Sequence, residues 1–261
     1  RFLKRCVMVR SRRGIILKSP REIEIMRSAN QHTAEILKMM CEAVEPGITT
    51  WDLDQLARKE IDKRPVESAF LGYGGYPGVV CTSVNEVIVH GIPRKDVILQ
   101  EGDIIGIDFG VSYKGYVGDT ARTVPVGTIS ADAQRLIDTT KRALDKAIEL
   151  CTAQYRLSDI GKAVEAEAKA EGYGVVRDFV GHGIGTRMHE DPQVPNYYDG
   201  PKPRLRPGLV IAIEPMFNMG THKVEVLDDD WTAVTGDRLW AAHFEDSIAI
   251  TAAGPQVLSR I

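Results

Sequence analysis

The chain has 261 residues, 43% of them hydrophobic and 26% charged, an ordinary globular composition with enough apolar residues for a sizeable core in one large or two small domains. Its formal net charge of −3 gives no concentrated basic surface, which argues against a nucleic-acid or membrane partner. No apolar run approaches the ~20 residues of a spanning helix, and Cys6, Cys41, Cys81 and Cys151 show no C-x-x-C spacing, so free thiols in a reducing, cytoplasmic setting are expected.

The opening RFLKRCVMVRSRR contains no acid. It reads as a basic tail over residues 1–13, a frayed end apart from the fold, with a targeting remnant or a leader as alternatives, and a chain beginning with Arg reads as less than a complete gene product. A single domain is expected over residues 14–261. Ser19, Pro20 and Glu22 spell a helix start, and Ile23, Met26, Ala34, Leu37, Cys41 and Val44 recur at helical spacing until Pro46 and Gly47. A second helix from Thr50 to about Lys63 turns Leu53, Leu56, Ala57 and Ile61 inward. Phe70 to His90 reads as a glycine-rich aromatic loop and two short strands. Ile104 to Thr123 then reads as a hairpin, with Asp108 after the run Ile104, Ile105, Ile107 and Asp119 on the second arm. Antiparallel arms would set these carboxylates side by side. Two buried carboxylates call for a cation, although the hairpin alone fits two solvent-facing acids on an edge equally well.

The second half repeats the order. One helix is capped at Ser130, with Leu136, Ile137, Leu144 and Ile148 inward; another is capped at Ser158 and closes near Gly172; strands follow from about Val175. LQEGDIIGID, ending in Asp108, aligns without a gap with LRPGLVIAIE, ending in Glu214, and Asp119 in GDTART finds a counterpart in Glu245 of HFEDSIAIT. This predicts an α+β architecture: a helix, helix, antiparallel-strand unit duplicated about a pseudo-twofold axis, with a curved sheet, helices on its outer face and one shared core. Asp108, Asp119, Glu214 and Glu245 would converge at the axis. His90 in VHGIP, His182 in GHGIG and His189 in MHEDP stand in distinctive contexts. Each alone reads more readily as structural, but the glycines around His182 permit the close backbone approach that a metal site requires. Four carboxylates with one imidazole suit two divalent ions of the Mn, Fe, Co or Zn kind.

On these motifs the chain resembles a type I methionine aminopeptidase of the pita-bread fold, in metallopeptidase family M24, from about Ser11 to its end. The resemblance implies that Asp108 chelates one metal, that Asp119 and Glu245 bridge two, and that His182 and Glu214 complete the other. It implies that His189 contacts the scissile amide, that His90 assists the amine side, and that Tyr73, Tyr76, Cys81 and Trp231 line the methionine pocket, with Phe70 beside them. Two metals would acidify a shared water and polarise the peptide carbonyl, with Glu214 as the base. No G-x-S-x-G and no cysteine in a reactive context favour a serine or cysteine hydrolase.

The implied activity is removal of N-terminal methionine from peptides and nascent chains near the ribosome when the second residue is small, by a cytoplasmic monomer, or an organellar one if the basic start is a targeting remnant. The chain departs from the family pattern at Phe70, usually cysteine, and Met188, usually phenylalanine. It departs again around Glu245, where His243 stands for a glutamine and Asp246 for a histidine. His243 shares a strand face with Glu245, and a structural role is expected for it, with a supporting role at the metals as the alternative. The rival functions are a proline-specific peptidase of the same fold, which carries an additional N-terminal domain, and a metal-free binding module, which would have lost a ligand.

Overall fold

The computed structural model describes residues 14–261; the basic opening, with Cys6, lies outside the described residues. The first helix, α1 (Pro20–Glu42), starts where the sequence places it. Ser19 N donates to Glu22 Oε2 at 2.7 Å, and Pro20 takes a position whose N–H would have no intrahelical partner. Helix α2 (Thr50–Asp62) repeats the device with Thr49 and Asp52, burying Leu53 and Ala57 and leaving Leu56 and Ile61 half-buried. Strands β1 (Glu67–Ser68), β2 (Val80–Val84) and β3 (Val87–Val89) precede the long hairpin of β4 (Ile104–Tyr113) and β5 (Tyr116–Pro125).

The second half opens with α3 (Ala131–Glu149), capped by Ser130 as expected, and α4 (Leu157–Glu171). Helix α4 corrects one detail of the sequence reading: its cap is Arg156, whose N–H donates to Asp159 Oδ2 at 2.8 Å, and Ser158 is buried within the first turn. An aspartate three residues past the cap satisfies the orphan N–H, so the serine is not needed for it. There follow β6 (Gly174–Val175), β7 (Gly181–Gly183), β8 (Glu190–Val194), β9 (Val210–Ile213), β10 (Met216–Asn218), β11 (Val224–Val226), β12 (Ala233–Thr235), β13 (Ala241–His243), β14 (Asp246–Thr251) and β15 (Gly254–Val257).

In the first half β4 pairs antiparallel with β1, β2 and β5. The second half carries an antiparallel sheet in the order β15-β14-β9-β7-β8 and a smaller one, β13-β10-β6. The backbone pairing that stitches the halves together includes two features. Strand β3 joins β11 and β12 in a mixed-parentage sheet, and Ala121 of β5 exchanges backbone hydrogen bonds with Glu245 at 3.0 and 3.3 Å. Helix α1 lies on β4 and β5, and this requires a residue without a side chain at one point. A Cβ on Gly118 would come within 2.7 Å of the Asn30 backbone nitrogen of α1.

The buried apolar residues fall into clusters that follow the duplication. One runs from Ile36 to Val126 and is centred on Phe109, Ile105 and Leu53; another runs from Ala133 to Ile250, joined only by Ile104 from the first half. Two smaller clusters, one with Met26, Val117 and Val210 and one with Ile88, Val176 and Ala233, fill the join. Among the described residues no helix is long and apolar enough to cross a membrane.

Candidate metal centre

The strand registers bring Asp108, Asp119, His182, Glu214 and Glu245 to the join between the halves. Asp108 stands opposite Ala121 and Asp119 opposite Gly110, so the two acids share one face as diagonal neighbours and are not directly across from each other as the hairpin pattern suggested. The hairpin turn lies after Tyr113, which shifts the pairing by two residues. His182 in β7 pairs with Ala212 of β9, two residues before Glu214. The flanking glycines let β7 sit tightly between its neighbours, since a Cβ on Gly181 or Gly183 would lie 2.4 Å from Ala212 O or 2.3 Å from Asp191 O. Glu245 was expected inside a strand; it occupies the break between β13 and β14, where its backbone bonds to Ala121 instead of to a partner in its own sheet.

One donor atom each from Asp119, His182 and Glu245 lies within 4.8 Å of the others, and all three residues are buried. His182 Nε2 is 3.9 Å from Asp119 Oδ2 and 3.6 Å from Glu214 Oε1. Its Nδ1 faces Gly183 O at 3.0 Å, and a carbonyl only accepts, so the ring proton sits on Nδ1. The Nε2 lone pair therefore points at carboxyl oxygens, an arrangement that needs a proton or a metal cation between them.

The electrostatics say the same. Burial raises Asp119, Glu214 and Glu245 well above the ordinary carboxylate range, helped by their mutual repulsion and by Asp108. Burial lifts Asp108 to about 7 and lowers the nearby imidazoles, His182 and His90 to about 4 and His243 to about 3, so these rings are neutral near pH 7. Asp108 Oδ1, Asp119 Oδ1 and Glu245 Oε1 are buried without a hydrogen-bond partner among the described residues. Unpartnered buried acceptors are rare in native proteins and destabilising. Carboxylate oxygens with one imidazole nitrogen are a donor set that fits divalent cations of the Mn, Fe, Co or Zn class.

The raised values give the metal-free protein a pH dependence of definite sign. A carboxyl whose folded pKa exceeds its unfolded value binds more protons folded than unfolded, so the unfolding free energy falls as pH rises between the two. For Asp108 that window runs from the ordinary ~3.9 to about 7. Calorimetry on metal-free protein should give a lower Tm at pH 8 than at pH 6, and divalent metal should raise the pH 8 value more. Equal Tm values at the two pH values would show that the acids do not share a buried site.

Around the acids lie the remaining candidates. His189 is exposed beside a cavity of about 280 Å³ whose wall includes Tyr73, Thr186, Arg187 and Met188, and its Nδ1 is 2.6 Å from the Tyr73 hydroxyl. His90, in a left-handed backbone conformation at φ 62°, sets its ring edge-on to Phe179 and Trp231 with centroids 5.2 and 6.3 Å away. Trp231 also meets Tyr76 edge-on at 5.1 Å. Tyr76 and Cys81 are buried beneath, the Tyr76 hydroxyl lying 3.0 Å from both Val80 O and Gly91 O. Phe70 packs beside Met188 in the cluster at the join and touches Gly110, where a Cβ would come within 2.9 Å of its ring.

Sequence reasoning missed two supports, Phe179 and Lys18, and left the role of a third, Asp246, unassigned. Phe179 had no signal. Lys18 donates to Glu190 Oε2 at 2.6 Å with both side chains almost fully buried, fixing the segment that carries His189; a lysine just before a helix cap looks like a surface residue. Asp246 is completely buried and pairs with Arg122 at 2.6 Å and with Arg260 at 2.7 Å, while Arg122 also donates to the Glu245 carbonyl at 2.5 Å. The departure at Asp246 thus has a structural account: its charge is neutralised by two arginines, one of which, Arg122, also braces the Glu245 backbone.

Comparison with known proteins agrees with this geometry. A model of metallopeptidase family M24 matches residues 24–252. The chain is 48% identical over 246 residues to the methionine aminopeptidase of Clostridium acetobutylicum, covering 94% of this chain and 98% of that protein. It superposes on the crystal structure of methionine aminopeptidase from Thermotoga maritima with a TM-score of 0.93 at 42% identity, covering 95% of this chain and 100% of that one. The prolidase from Pyrococcus furiosus shares the fold alone, with a TM-score of 0.76 at 21% identity, and this chain covers 66% of it.

Proposed function

Because the chain belongs to metallopeptidase family M24 and, within it, to the methionine aminopeptidases, we propose that it hydrolyses the first peptide bond of chains beginning with methionine. The observation that carries this reading is the set of acids from both halves, three of them with unpartnered buried oxygens, beside the exposed His189. Asp108, Asp119, His182, Glu214 and Glu245 would hold two divalent ions of the Co, Mn, Fe or Zn kind. When bound, such ions polarise the scissile carbonyl and acidify water.

The chain's own residues do the rest. Glu214 takes a proton from the attacking water and returns it to the amine released when the C–N bond breaks, its carboxyl standing beside His182 Nε2 at 3.6 Å. The Tyr73 hydroxyl donating to His189 Nδ1 leaves Nε2–H to reach the scissile amide. His90, packed against Phe179 and Trp231, stands on the amine side. Tyr73, Phe70 and Trp231 enclose the methionine side chain over a floor of Tyr76 and Cys81. The protein acts as a single-domain monomer in the cytoplasm, on nascent chains near the ribosome as well as on free peptides.

Substrate choice tests the reading. With the scissile carbonyl fixed at the metal site, the second side chain meets the wall of the cavity, and a long or charged one displaces the carbonyl from its place. One methylene changes transition-state binding by only ~1 to 3 kcal/mol, whereas misplacing the reacting bond loses far more. Met-Ala, Met-Gly and Met-Ser peptides should be cut, with Met-Lys and Met-Leu peptides nearly untouched. Faster cleavage of Xaa-Pro peptides lacking methionine would instead favour the proline-specific alternative.

A further inference from the structure

We propose that His243 is a positioning residue for Glu214, holding the carboxylate through an Nε2–H bond on the side away from His182. The proposal rests on the reading of Glu214 as a metal ligand and base. Glu214 lies between two imidazoles: Oε1 is 3.6 Å from His182 Nε2 and Oε2 is 3.8 Å from His243 Nε2. The His182 nitrogen presents a lone pair, because its ring proton is committed to Gly183 O. His243 Nε2 has no hydrogen-bond partner among the described residues, and its residue is only 4% exposed. A neutral imidazole carries its proton on one nitrogen, and a proton on Nε2 is a buried donor aimed at a carboxylate oxygen.

The backbone keeps that donor in place. At the end of β13, His243 N donates to Thr123 Oγ1 at 2.9 Å, and Thr123 Oγ1 donates to His243 O at 2.8 Å, a reciprocal clasp between the halves. On the other side, Asn196 holds the Glu214 carbonyl at 2.9 Å. A movement of under about 1 Å closes the side-chain gap to hydrogen-bond distance. Each carboxylate oxygen has two lone pairs, so the bond leaves a site on Oε2 for the proton that Glu214 moves.

The test compares His243→Leu and His243→Gln with the parent protein, each loaded with Co(II). Removing such a support costs about 10- to 100-fold in activity or metal affinity. The leucine variant should lose at least about tenfold in kcat with little change in KM, and the visible d–d spectrum of its Co(II) should shift, because the Glu214 carboxylate is no longer held. The glutamine variant, whose amide N–H reaches the same oxygen, should recover most of both. If leucine prevents folding, His243→Asn, polar but too short to reach Glu214, takes its place with the same expectations. Parental kcat and spectrum in the leucine or asparagine variant would overturn the proposal, and loss of one ion from the glutamine variant would make His243 a ligand and overturn it too. Glu214→Gln separates the two readings: if it is inactive while His243→Leu is normal, only the positioning role falls, whereas full activity in Glu214→Gln removes the premise itself.

Discussion

Dialysis of the purified protein against a strong chelator should reduce cleavage of a Met-Ala peptide to background, and Mn, Co or Fe(II) should restore it. The expectation follows from what else the site contains. Its imidazoles are neutral near pH 7 and its acids repel one another, so no cationic side chain among the ligands is placed to polarise a carbonyl. The described cysteines offer no substitute nucleophile, because burial pushes the Cys41 thiol to about 11, Cys151 to about 12 and Cys81 well above its ordinary value. Activity assays beside elemental analysis decide the matter. Full activity in a sample shown to be free of metal would end the metallopeptidase reading of this site.

Glu214→Gln should lower kcat by the ~10² to 10⁴ typical of a lost general base. The amide keeps the shape and one oxygen that still faces His182, so the change removes proton acceptance with little rearrangement. Glu214 also follows directly on β9, whose four residues are fully or nearly buried, which leaves its backbone little freedom to adjust. Metal content must be measured in the same preparation, since the substitution removes charge from the site as well. Near-normal kcat with both ions present would place the base on another residue.

The parts of this molecule that could be read in advance are those where a local rule is broken twice. Apolar runs leading into Asp108 and into Glu214 violate the expectation that buried strand ends are uncharged, and the gapless match of the two segments makes chance a poor explanation. Helix starts at Ser19 and Ser130 were legible because caps are local chemistry. What escaped depended on distance along the chain or on register. Lys18 and Glu190 are 172 positions apart, and nothing near either residue marks it as buried. The two-residue offset between Asp108 and Asp119 depends on where the hairpin turns, and the break at Glu245 depends on which half its backbone bonds to. His243 was expected to be structural because alternation alone brings many side chains near a site; its orphaned nitrogen becomes visible only when burial is known.

The two main clusters of buried side chains are drawn almost wholly from opposite halves, and the repelling acids occupy the plane where the halves meet. This gives the molecule a parting line. Without metal and at high pH, ionised carboxylates there would push against the small clusters and the hydrogen bonds that span the join, while each half-shell keeps its own packed interior. In that state resistance to opening should be lowest across the middle and highest within each lobe. In metal-free protein at high pH the plane on which the chemistry depends should therefore part first, so loss of metal binding should precede loss of the helices and of the long hairpin.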